Sequence, residues 1–98
     1  MRAYALVVRD EAQEEAEAIK LWYEGQSPGL GERFTNALER TLRQIRDTPS
    51  FQVRKGIYRH VLVRGFSRYR VVYTVDDDVI TIYQVRHTSR KPSSRFGP

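Results

Sequence analysis

Tyr4, Leu6 and Val8 alternate with Ala3, Ala5 and Val7 at the start of the chain, a period of two that predicts a strand. The period then lengthens. Ala12, Ala16, Ile19 and Tyr23 recur at i, i+4, i+7 and i+11, one face of a helix expected over 11–24. Asp10 stands where an N-cap belongs and Gln13 in the reciprocal capping-box position, with Glu11, Glu14 and Glu15 at the positive end of the helix. The segment Gly25 to Gly31 interrupts the pattern, and a second helical period follows in Leu30, Phe34, Leu38, Leu42 and Ile45, with Pro49 as its stop. Two helices joined this briefly form an antiparallel hairpin.

Beyond Pro49 the period returns to two. A short edge strand is expected over 51–54 and three longer ones over 57–63, 69–75 and 79–85. Arg64-Gly65-Phe66-Ser67 and Asp76-Asp77-Asp78 supply the connections. Tyr69, Val71, Tyr73 and Val75 take one face of the middle strand, and Arg68, Arg70, Val72 and Thr74 the other. In the last strand Ile80 and Ile82 share a parity that Val85 breaks, which predicts a bulge. Connections this short give an α+β domain, β-α-α-β-β-β(-β), with the helical hairpin on one face of a mainly antiparallel sheet of four or five strands. The aromatics Trp22, Tyr23, Phe34, Tyr69 and Tyr73 read as core and groove lining. The chain is expected to form a single domain over 1–98, with the Ser-, Arg- and Pro-rich stretch 88–98 as a flexible tail.

Composition narrows the class. Hydrophobic residues at 40% suffice for one modest core, and 30% charged residues fit a soluble protein. No apolar run approaches the ~18 residues of a membrane span, and no secretory leader is apparent, so a cytoplasmic protein away from the membrane is expected. With no cysteine there is neither a disulfide framework nor a cysteine zinc site. His60 and His87, far apart, make no metal set, and no cofactor is expected. His60, in mid-strand, reads as a partly buried, hydrogen-bonded side chain. The glycines of the Gly25–Gly31 segment are not a phosphate loop, because no Lys-Ser/Thr follows and Pro28 removes a donor. The three aspartates at 76–78 read as turn chemistry.

Charge is uneven. Residues 1–49 hold seven Lys/Arg against nine Asp/Glu, whereas 50–98 hold ten against three, so the net +5 divides into −2 and +7. Fourteen of the cations are arginine, the side chain shaped for planar contact with phosphate or carboxylate. The stretch Arg54, Lys55, Arg59, His60, Arg64, Arg68, Arg70 contains no acidic residue. Such a surface implies a polyanion or an acidic, partly disordered protein segment as partner. The plainer reading is an arginine-decorated solvent face guarding a sheet edge.

The order strand, helix, helix, meander carries Trp22-Tyr23-Glu24, Pro28-Gly29-Leu30-Gly31 and Arg33-Phe34 at its middle. Tyr58-Arg59, Phe66-x-x-Tyr69-x-x-x-Tyr73 and Val85-x-His87-x-x-Arg90 follow. Together they resemble the RelE/ParE toxin superfamily of bacterial type II toxin–antitoxin modules, and the Pro-Gly-Leu-Gly loop and long helices favour its ParE-like side. That resemblance implies a plasmid-stabilisation type of growth inhibitor acting on DNA gyrase, held inactive by a cognate antitoxin, in a toxin–antitoxin heterotetramer. Arg64, Arg70, Arg90 and Lys91 would bind the target or the antitoxin. The alternative is a RelE-like endonuclease that cleaves ribosome-bound mRNA, with Arg59, Arg68, Arg86 and His87 as its catalytic set. RNA cleavage needs a base, an acid and cations around one phosphate. Arginine stays protonated, so His87 alone would have to move the proton, and Phe96 lacks the hydroxyl of a terminal Tyr. A non-enzymatic inhibitor is therefore favoured. A stand-alone nucleic-acid-binding module is the reading from another class.

Overall fold

The computed structural model describes residues 4–47, 53–55 and 57–88. The chain runs β1 (Ala5–Val8), α1 (Asp10–Gln26), α2 (Leu30–Asp47), β2 (Val53–Lys55), β3 (Tyr58–Val63), β4 (Phe66–Asp76) and β5 (Val79–His87). The five strands form one sheet in the order β1-β5-β4-β3-β2. Only β1, laid beside β5, is parallel to its neighbour; the meander β2 to β5 is antiparallel throughout. Both helices lie on one face, where Ala12, Phe34, Ala37, Leu38 and Ile45 close over Val63, Val71, Tyr73, Ile80, Ile82 and Val85. The α+β reading and the helical hairpin hold.

Several local expectations shift by a residue or more, each for a physical reason. Asp10 is not the N-cap of α1 but its first helical residue. The Arg9 N–H is still committed to the sheet, donating to the Ile82 carbonyl at 3.1 Å, so Arg9 stays extended and takes the cap position. Strand passes into helix with nothing between. Glu15 does not serve the helix end either. It reaches across to accept the Val85 N–H at 3.0 Å, an edge donor of β5 left open where β1 has ended.

The helix also runs further than expected, through Gly25 to Gln26. Only Ser27 to Gly29 turns the chain, with Gly29 in the left-handed region at φ 86°. Strand β4 begins at Phe66, which pairs with Val63, so its connection from β3 shrinks to Arg64-Gly65. The next turn is Asp77-Asp78, with Asp77 at φ 52°, a conformation that Asp tolerates better than most side chains. Ile57 lies outside β3 and is exposed. Of the edge strand expected over 51–54, residues 53 and 54 fall in β2, while Phe51, Gln52 and Pro49 lie outside the described residues. Apart from Thr88, so does the stretch 88–98.

The bulge falls where the parity break predicts it. Val72 pairs with Gln84 but Tyr73 with Ile82, leaving Tyr83 as the extra residue of β5. Ile80, Ile82 and Val85 thereby all reach the core.

Candidate functional site

Four of the motif aromatics meet at one end of the sheet. Tyr23 near the end of α1, Phe34 on α2, and Phe66 and Tyr69 at the start of β4 form an aromatic cluster. Tyr23 stacks on Phe34 at 5.6 Å, and the other contacts are mostly edge-to-face, the arrangement ring quadrupoles favour. Trp22 departs from the core-lining reading: it touches the cluster only edge-on through Tyr23 and is 57% exposed. Ala12, Ala16, Ile19 and Tyr23 already occupy the inward stripe of α1, and Trp22 is rotated about 100° from Tyr23.

Glu24 holds the turn beneath this cluster. Its carboxylate accepts the N–H groups of Gly29, at 3.0 and 3.1 Å, and of Gly31, at 3.1 Å. It thereby satisfies a donor in the first turn of α2. The glycine at 31 is required by space: a Cβ there would sit 2.6 Å from the Lys20 carbonyl of α1. Nothing in the local pattern marks Glu24 as a clamp; the signal is a carboxylate five and seven residues before two glycines.

Burial raises the pKa of the Tyr23 phenol, the neighbouring Tyr69 adds to the rise, and Arg68 opposes it. A phenol held protonated in the fold favours folding below its unfolded pKa of about 10, and that contribution is lost as pH climbs through the higher folded value. Tyr23→Phe should therefore flatten the alkaline limb of stability against pH, above about pH 10, and leave neutral stability little changed. Thermal midpoints across pH 8–12 test this; parallel curves would contradict it.

The residues proposed as a nuclease set do not share a place. His87 lies opposite Tyr69 in the ladder and packs edge-on against it at 5.0 Å, on the helix-covered face. Arg59 shares that face but lies opposite Tyr73, roughly 14 Å further along the strands. Arg86 is opposite Arg70 on the other face and is only 3% exposed. Arg68 is exposed, and its carbonyl accepts the Thr88 N–H. Neighbours in a strand point to opposite faces, and the Tyr83 bulge decides which of Arg86 and His87 takes which.

Among the residues proposed for binding, Arg64 stands exposed in the β3–β4 turn. Arg70 lies 3.4 Å from His60 Nδ1, a contact in which the guanidinium can only donate. His60 is thus buried and hydrogen-bonded, as expected. Arg90 and Lys91 lie outside the described residues, as does Phe96. Among the described residues no group of three or more His, Cys, Asp or Glu could hold a metal, and no helix is long and apolar enough to cross a membrane.

No curated protein sequence matches the chain. Its fold matches the solved structure of a chromosomal ParDE TA system from P. aeruginosa with a TM-score of 0.77, covering 87% of this chain and 96% of that one at 11% identity. At that identity the likeness speaks for the fold. Sequence membership is carried separately, by a match over residues 6–92 to the family described as the ParE toxin of the type II toxin–antitoxin system parDE. Spanning all the described strands and helices but the first residue of β1, that match establishes that the chain belongs to the ParE toxin family.

Proposed function

We propose that this toxin arrests growth by binding DNA gyrase, without cleaving RNA. The observation that carries the reading is the separation of Arg86 from His87 onto opposite faces of the sheet. In-line cleavage needs base, acid and charge-stabilising cations around a single phosphate. Here His87 packs against Tyr69 on one face, while Arg86 lies beside Arg70 on the other. Inhibition by contact asks for no such convergence.

A toxin of this family implies an antitoxin partner. The pair acts in the cytoplasm as a heterotetramer, with 1–98 working as one domain. Arg70, with Arg90 and Lys91 beyond the described residues, supplies charge for an acidic antitoxin segment or for the target, and Arg64 supplies charge for the target. The exposed apolar Leu21 and Trp22, 62% and 57% accessible, give such a segment something to cover. Induction of the toxin alone should halt growth, and co-expression of the adjacent reading frame should restore it and yield a complex of two toxins and two antitoxins by mass. A neighbour that neither binds nor restores growth would remove the antitoxin assignment.

A further inference from the structure

Away from the aromatic cluster the chain builds a second charged feature, which takes in Arg33 and Arg64. Arg33, Arg40 and Arg43 project from α2 toward Arg64 in the β3–β4 turn. Two adjoining clefts, about 700 and 320 Å³, share Arg40, Arg64 and Gly65 and join into one groove. All four arginines are exposed. No carboxylate pairs with any of them among the described residues, and the one acidic residue of the lining, Asp47, sits at the far end of α2.

The two walls are fixed to each other. The buried Thr41 hydroxyl donates to the Ala37 carbonyl at 2.9 Å and accepts the Arg64 N–H at 3.3 Å, tying the turn to the helix. Gly65, left-handed at φ 86°, lets the turn close tightly beside it. The guanidinium groups therefore extend from a rigid frame, which reduces the ordering cost of binding.

We infer that this groove binds the sugar–phosphate backbone of a nucleic acid. Arg33 to Arg43 spans about 15 Å along the helix, the axial reach of about five successive phosphates of a duplex strand. Unpaired arginines are suited to phosphate by their planar fork. An acidic peptide that folds on binding would instead need apolar anchor sites, and beyond the half-buried Phe66 the groove offers no large apolar side chain. Such a wall lies elsewhere, in the groove of about 360 Å³ that includes Val8, Ala16, Leu38 and Leu42. The inference goes beyond the gyrase reading and is tested without gyrase, so the failure of one leaves the other standing.

The test is binding of the full chain to a labelled 20-base-pair duplex over a salt series. Arg40→Gln with Arg64→Gln should lower the slope of log affinity against log salt by about 1.8, and weaken binding on the order of fiftyfold at 0.1 M salt. Arg9→Gln with Lys20→Gln removes equal charge elsewhere and should cost only a few-fold. Thermal midpoints close to wild type confirm that the variants are folded. Equal losses in the two double variants would overturn the proposal. So would displacement of the duplex by a poly-glutamate peptide of the same charge as effectively as by unlabelled duplex, which would assign the groove to an acidic protein.

Discussion

Phe34→Ala should cost about 3–5 kcal/mol, the usual range for deleting a fully enclosed aromatic ring. Phe34 has no exposed surface and contacts Tyr23, Phe66 and Tyr69 with ring centroids 5.3 to 5.7 Å away. These are rings from α1 and β4, so its loss leaves a cavity where three elements meet, and the rigid sheet below cannot collapse to fill it. Against a total stability of about 5–15 kcal/mol this is a large fraction, equivalent to a fall in Tm of roughly 15–30 °C. Trp22→Ala, three-fifths in solvent already, should cost about 1 kcal/mol or less. Thermal melts of the two variants separate these expectations. Similar costs would mean that the cluster is not the organising contact of this end of the fold.

The second large effect is at Gly31, and it is clearest beside Gly25. Alanine has the better helix propensity at both, by up to about 1 kcal/mol. At Gly25 a methyl would have nothing within 4 Å of it, so that gain should appear as a rise in Tm of a few degrees. At Gly31 the methyl would meet the Lys20 carbonyl at 2.6 Å and the Glu24 Cβ at 3.0 Å. A backbone carbonyl cannot rotate away, so the helices must part, at about 1–3 kcal/mol or more. Parting them also pulls the Gly29 and Gly31 N–H groups from the Glu24 carboxylate. Steric cost should exceed the propensity gain, and Gly31→Ala should melt on the order of 10 °C lower. Stabilisation at both positions would show that the two helices approach less closely than described.

What the sequence discloses of this fold follows the range of each interaction. The 3.6 and 2 periods reveal the helices and most of the strands, because burial on one face is a local requirement. Even the Tyr83 bulge is legible, since Ile80, Ile82 and Val85 can all be buried only if one residue is extra. The position of β1 beside β5 is not, because that pairing joins residues more than 70 positions apart. The misplaced cap at Asp10 has the same origin: the Arg9 N–H is claimed by Ile82, a partner no local pattern shows. For the site, the motif aromatics stand out in the sequence, but their convergence does not, and nothing local shows that the Glu24 beside them clamps the turn. Arg86 and His87 look like one constellation when read as neighbours in a chain. Strand alternation parts them and the bulge assigns their faces, a consequence that emerges only when the register is known. The arginines of α2 stand at exposed helix positions, and only the docked β3–β4 turn makes them one wall of a groove.

The measurement that tests the central claim most directly is supercoiling by purified DNA gyrase with the wild-type toxin and with His87→Ala, run beside cleavage of ribosome-bound mRNA by the same preparations. Inhibition by contact predicts that both proteins block supercoiling and that neither cuts the message. A wild-type toxin that leaves gyrase untouched and cuts ribosome-bound mRNA, with the cutting lost in His87→Ala, would contradict it.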